Sequence, residues 1–359
     1  MNLLDYLDWR GDLSFDVSPF NEVDNLILCM TVNLDYSGIV PEEGPGVLIT
    51  DTVNAYLEKF GEKGDRPGVL MPKEVWPMVR KMAASRRFES LRLSSYKSII
   101  VDDINEQFAG LTLTMPGRFA YVSFQGTDDT IAGWKEDCCM AFTDEIPAQK
   151  DAAEYLTEAA SRVSEPLYVG GHSKGGNLAV YAAAKVPNDV KKRILRVYSN
   201  DGPGFDRSFF ETDEYMLIRN RVTLIMPKWS IIGAIFEQDC DQVVVECSRQ
   251  GIMAHSGYTW EVLGTQFVRA ASLVKSSRAF RLGMNRALRD LSREEKRAFT
   301  SNMFGALTVT GARTITDLTR LKPREVLRIG KEFRNHREIL IVFSRIFQES
   351  AHEYRAVED

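Results

Sequence analysis

The chain has 359 residues, 44% of them hydrophobic and 26% charged, with a formal net charge of −5. Those proportions are ordinary for a globular protein with a sizeable core. The acidic balance, with no concentrated basic face, argues against a nucleic-acid partner, and no apolar run approaches the ~18 residues of a membrane span.

The first ten residues carry Asp5 and Asp8 where a secretory signal would need a basic start and an apolar run, so a cytoplasmic protein is expected. Asn21 to Tyr36 has apolar residues at helical spacing, and a further helix begins near Asp51. Gly61 to Pro67 reads as a loop, and residues 73 to 92 read as helical again. Tyr96 to Ile104, Phe108 to Met115 and Phe119 to Gln125 are β-type runs, with a turn at Met115-Pro116-Gly117-Arg118. From there strands and helices alternate. Helices are expected over Ile131 to Phe142, Ala148 to Val163 and Lys174 to Lys185, and strands over Pro166 to Gly170, Ile194 to Ser199, Val222 to Met226 and Gln242 to Cys247. Such βαβα order implies a mostly parallel sheet with helices on both faces. From Thr259 the pattern reads helical to the end, with Pro323 at a helix start. Residues 1–275 are therefore expected to form one α/β domain and 276–359 a helical extension. The basic residues of that extension alternate with Glu and apolar residues, which suits a solvated helix face.

The five cysteines (Cys29, Cys138, Cys139, Cys240 and Cys247) show no zinc spacing. Free thiols in a reducing compartment, with no metal and no cofactor, are the expectation.

Gly171-His172-Ser173-Lys174-Gly175 fits G-x-S-x-G, and its setting is what gives it weight. It follows the apolar run Leu167-Tyr168-Val169 and precedes an Ala-rich helix. That is the strand-turn-helix context of a nucleophile elbow in an α/β-hydrolase fold. Ser173 would be the nucleophile, and a serine hydroxyl needs a base held by a carboxylate. Of the four histidines, His172 sits in the elbow with its ring expected to point away. His336 and His352 lie in the C-terminal helical stretch, so His255, after the last strand, is the expected base. Asp201, just past a strand end, is the favoured acid, with Glu237, Asp239 and Asp241 as alternatives. The backbone N–H of Lys174 and the N–H and hydroxyl of Thr127 are expected to form the oxyanion hole. The Lys174 ammonium is expected to face solvent or a neighbouring carboxylate. Asp128 and Asp129 read as loop and helix-cap residues. Pro227 to Phe236 is unusually apolar for a connection, and suits an acyl pocket, a lid or a buried helix.

Phe124-Gln125-Gly126-Thr127, then Trp134 and Asp137, then Gly171 to Gly176, resemble the motifs of class 3 lipases. More closely, the chain resembles a bacterial, Mbeg-like family of lipase-like α/β-hydrolases of unknown function. Asp5-Tyr6-Leu7, Trp9 to Asp12, Pro19 to Asp24, Asn200 to Phe205 and Gly251 to His255 carry that resemblance over about residues 1–265. It implies a serine-lipase-like site with Ser173 as nucleophile, His255 as base and Thr127 in the oxyanion hole. Two positions depart from the class 3 pattern: Gln125 stands for its Arg, and Ser230 stands near its Asp, which again favours Asp201. The function expected is hydrolysis of a carboxylic ester or thioester, a small molecule or lipid, through an acyl-enzyme. The rival is a catalytically silent hydrolase fold used for binding or scaffolding.

Overall fold

In a computed structural model of the chain, the described residues are 1–64, 72–101, 106–128, 130–140 and 143–356. Helices α1 (Leu3–Arg10) and α2 (Glu22–Thr31) open the chain. Each is capped by an asparagine whose side chain accepts from the first turn, with an aspartate three residues on returning the bond. There follow β1 (Val47–Leu48), α3 (Ile49–Phe60), α4 (Val75–Ala83), β2 (Arg92–Val101), β3 (Glu106–Met115) and β4 (Phe119–Phe124). The alternating part comprises α5 (Ile131–Cys139), α6 (Pro147–Arg162), β5 (Leu167–His172), α7 (Lys174–Lys185), α8 (Asn188–Arg193), β6 (Ile194–Asn200), α9 (Arg207–Phe210), α10 (Asp213–Met216), β7 (Val222–Pro227) and β8 (Asp241–Val245). A hairpin, β9 (Val262–Leu263) with β10 (Gln266–Phe267), precedes α11 (Lys275–Arg289), α12 (Arg293–Thr308), α13 (Ile315–Thr319), α14 (Pro323–Asn335) and α15 (Arg337–Ala356).

The eight strands β1 to β8 lie side by side in sequence order. The pairs up to β3–β4 are antiparallel and those from β4–β5 onward are parallel. This is an α/β-hydrolase fold. Strands laid down in one direction with right-handed crossovers put their connecting helices on the same face. That face is packed by α6 and α7 onto Val122, Phe124, Val169 and Val197. The opposite face must then be covered from outside the βαβ run, and the N-terminal leader does it. Leu26, Ile27 and Met30 of α2 and Met78, Val79 and Met82 of α4 bury against Leu111, Leu113 and Tyr121. Both faces are covered, as expected, but by segments of different origin. A fully buried pair, Arg87 to Asp24 through Nε at 2.7 Å, ties the leader together.

Two expectations need correction. The chain is not helical from Thr259: residues up to Val274 form a turn, the β9–β10 hairpin and a loop, and α11 begins at Lys275. Gly264, at φ +65°, makes the hairpin turn that a helix could not contain. Pro227 to Phe236 forms no buried helix. The Ala141 and Phe142 end of the helix expected over Ile131 to Phe142, and Asp129, lie outside the described residues, as do residues 102–105.

The C-terminal helices pack on the sheet domain through α5 and through the loop at Phe236, among other contacts. Ile131, Trp134 and Cys138 of α5 cluster with Met303, Phe304 and Leu307 of α12. Asn285 of α11 accepts from the Phe236 N–H at 3.0 Å and donates to its carbonyl at 3.2 Å. Among the described residues, no helix is long and apolar enough to cross a membrane.

Candidate active site

Register aligns the carboxyl ends of four strands. Phe124 lies beside Gly171, His172 beside Asn200, and Asn200 beside Ile225. The residues that follow, Gln125 to Thr127, Ser173, Asp201 and the 228–236 connection, therefore emerge at one edge, where open α/β sheets place working groups. Ser173 stands at φ +58°, ψ −131° between β5 and α7. A left-handed φ is rare for a residue with a Cβ and marks a strained, over-determined turn. The turn closes so tightly that a Cβ on Gly171 would sit 2.1 Å from the Gly175 carbonyl carbon, and one on Gly175 would sit 2.1 Å from the Phe124 oxygen. The Ser173 N–H donates to the Asn200 carbonyl at 3.0 Å, fixing the elbow to β6.

Asp201 is fully buried and also has a positive φ, +51°. Its carboxylate accepts from His255 Nδ1 at 2.6 Å, from Ser230 Oγ at 2.5 Å and from the Gly233 N–H at 3.2 Å. The partner of the His255 ring is thus Asp201, and Ser230 supports that carboxylate rather than replacing one. The apolar 227–236 connection serves here as a cradle for Asp201. The three alternative acids are elsewhere: Glu237 faces Arg289 at 3.6 Å, Asp239 pairs with Arg219 at 2.7 Å, and Asp241 is exposed at the start of β8.

His172 does not point away from the site. Its Nε2–H donates to the His255 carbonyl at 2.7 Å, and the two rings lie 4.5 Å apart. Burial, followed by the neighbouring His255 ring, lowers its pKa to about 3, so it stays neutral near pH 7. Its role in holding the His255 segment is written in the sequence only as adjacency to the serine. Trp260 reinforces the same segment, donating Nε1–H to the Ala254 carbonyl at 3.0 Å.

The expected oxyanion donors belong to the elbow itself and to the loop after β4, where a Cβ on Gly126 would sit 3.2 Å from the Ser173 Cβ. Lys174 is the first residue of α7, where the amides of a helix start have no helical partner. No backbone carbonyl among the described residues accepts from the Lys174 or Thr127 N–H. The Thr127 hydroxyl, expected to be a second donor to the substrate, instead donates to Asp137 Oδ2. Burial raises the Asp137 pKa to about 6, against the opposing pull of Lys174. Its Oδ1 has no hydrogen-bond partner among the described residues. The Lys174 ammonium is buried rather than solvated, and meets Glu136 Oε2 at 2.9 Å. Thr130 caps α5, and Asp128, in the loop before it, accepts from the Thr130 N–H at 2.7 Å.

Residues the sequence did not single out complete the scaffold. Asn200 Nδ2 donates to the Gly171 carbonyl at 3.2 Å, and its Oδ1 accepts from Asn25 of the leader at 2.9 Å. Asn25 in turn accepts from Tyr121 at 2.6 Å. The Ser173 hydroxyl makes no hydrogen bond to the His255 ring among the described residues. Serine–histidine bonds often tighten only when substrate is bound. No group of three or more His, Cys, Asp or Glu suited to a metal occurs among the described residues.

A crystal structure of M37 lipase is similar at 11% identity, over 60% of this chain and 69% of that one, with a TM-score of 0.36. No curated protein matches the sequence. The sequence profile of the Mbeg1-like family matches residues 82–305, from the end of α4 through the elbow and His255 into α12, and the chain belongs to that family.

Proposed function

We propose that this Mbeg1-like protein is a serine hydrolase acting on a carboxylic ester or thioester. The observation that carries the reading is the 2.6 Å contact between His255 Nδ1 and the buried Asp201, beside a serine held at φ +58°. Asp201 already accepts from two fixed donors, Ser230 and Gly233, so the His255 Nδ1 carries its proton toward the carboxylate. The Nε2 lone pair is then free to act as base. Ser173 Oγ attacks the carbonyl carbon while Nε2 takes the hydroxyl proton. The tetrahedral oxyanion is met by the amides of Lys174 and Thr127. Its collapse breaks the bond to the leaving oxygen or sulfur, which receives the proton from His255. Water, deprotonated by the same ring, then attacks the acyl-serine and releases the acid. Five cysteines that remain unpaired suit a protein working in a reducing cytoplasm.

The test is labelling of the full-length chain with a fluorophosphonate probe. Wild type is expected to label at Ser173, and Ser173→Ala is expected not to. A folded wild type that stays unlabelled would favour the silent binding-module reading instead.

A further inference from the structure

We propose that the Lys174 side chain is a positioning residue for the oxyanion hole, holding in place the donor on the far side, Thr127. The proposal rests on the reading of Ser173 as the acylated nucleophile. An ammonium has three N–H donors, and here each has an acceptor. Lys174 Nζ donates to the Gln107 carbonyl at 2.7 Å, to Gln107 Oε1 at 2.8 Å and to Glu136 Oε2 at 2.9 Å. From these partners two routes lead to Thr127. Gln107 Nε2 reaches the Gly126 carbonyl at 3.4 Å, one residue before Thr127. Glu136 sits next to Asp137 on α5, and Asp137 accepts the Thr127 hydroxyl. One residue of the elbow thus supplies a donor through its own amide and, through its side chain, fixes the loop that supplies the other.

Stability alone is a poor account of this arrangement. Burying an ion pair is often no better than burying apolar side chains of the same volume. A cation in the first turn of a helix also opposes the helix dipole. Both features become useful where the segments on either side of the serine must be held still, because donors fixed in advance need no reorganisation during the reaction. Glu136 is satisfied without ambiguity: besides Lys174 it accepts from the Gln107 N–H at 3.2 Å and the Ala148 N–H at 3.1 Å. The ammonium is therefore held in one place, with Asp137 Oδ1 at 3.9 Å as its next neighbour.

The experiment uses the full-length chain, p-nitrophenyl butyrate as ester and a fluorophosphonate as probe of the hole. Lys174→Met with Glu136→Gln removes both charges together, so neither is orphaned. This double variant is expected to keep its melting temperature within a few degrees and KM within about threefold. Its kcat and labelling rate are expected to fall roughly 30- to 100-fold, less than a donor deleted outright. A purely structural pair would move the melting temperature and leave kcat alone. A kcat within threefold of wild type overturns the proposal. Should the double variant not fold, Gln107→Met leaves the Lys174–Glu136 ion pair and the Gln107 carbonyl, and removes the Oε1 acceptor of the ammonium together with the Nε2 contacts to Gly126 and Gln125. Its expected loss is roughly five- to tenfold in kcat at unchanged KM, about the loss of one hydrogen bond, and an unchanged kcat overturns the proposal in the same way. Wild type that neither labels nor turns over the ester removes the nucleophile reading itself. Wild type that labels, alongside a variant that labels equally fast, removes only the role of Lys174.

Discussion

The wall that holds the proposed acid and base is built from hydrogen-bond donors around a single carboxylate, whereas the wall proposed to hold the oxyanion donors is built on formal charges. On the first, Asp201 collects Ser230, Gly233 and His255, and a neutral His172 pins the His255 backbone. On the second, Lys174, Glu136 and Asp137 crowd together, with Asp137 Oδ1 making no hydrogen bond among the described residues. The difference follows from what each wall must do. A base needs one proton on a defined nitrogen, and a ring of satisfied acceptors and donors fixes a tautomer without adding charge. A hole for an oxyanion gains from donors held in place before the reaction, and a buried ammonium with fixed acceptors ties together the segments that carry them.

The acid–base wall is broken most completely by Asp201→Asn. The amide would present an N–H where His255, Ser230 and Gly233 already donate, forcing the ring toward the tautomer with Nδ1 unprotonated. Turnover of p-nitrophenyl butyrate is expected to drop roughly 10³- to 10⁴-fold with fluorophosphonate labelling slowed in step. Turnover within tenfold of wild type would mean that another group orients the ring.

The neutrality of that wall is tested by acid. The folded-state pKa of His172 lies at about 3, below its ordinary value of 6.5. Between those pH values the unfolded chain binds a proton that the folded chain refuses, so stability is lost as pH falls through this window. At pH 4 the loss relative to pH 7 is about 3 kcal/mol from this group. His172→Gln keeps a donor to the His255 carbonyl and cannot titrate. Urea unfolding at pH 7 and pH 4 should show the variant losing less stability than wild type over that interval. An equal loss in both proteins would mean that His172 does not resist protonation in the folded state.

The acid–base wall was also the more readable one. Ser173 announced itself because an elbow needs small residues two before and two after it between a strand and a helix, a local requirement. Asp201 and His255, the proposed acid and base, could be picked out because each follows the end of an expected strand, where open α/β sheets place working groups. The charged wall was hidden because its contacts are long-range: Gln107 lies 67 residues and Glu136 38 residues before Lys174. Nothing in a helix-start lysine says whether its ammonium turns to solvent or inward. The direction of the His172 ring was hidden for the same reason, since its partner is 83 residues on. The β9–β10 hairpin was missed because two-residue strands are too short to show a period of two. The covering of the second sheet face by the leader depends on strand order, which local pattern does not contain.

Asp137 offers the finest test of the contrast, because it is the place where the charged wall is least satisfied. Its pKa is raised from 3.8 to about 6, chiefly by burial, with Lys174 and the Thr127 hydroxyl only partly offsetting it. Holding it ionised therefore costs stability above pH 6, and that cost is relieved as pH falls from about 6 toward 4, where the folded chain takes up the proton first. Asp137→Asn removes the charge while keeping an oxygen for the Thr127 hydroxyl. Allowing for the side chain's 22% exposure, the variant should be more stable than wild type by about 2 kcal/mol at pH 7. The gap should close toward pH 4, the reverse of the His172 case, because here the wild type recovers in acid. Paired urea titrations of the two proteins at pH 7, 5.5 and 4 measure it. A gap that is absent at pH 7, or that stays constant down to pH 4, would mean that the carboxylate is not strained by burial, and the two walls would then differ in charge but not in tension.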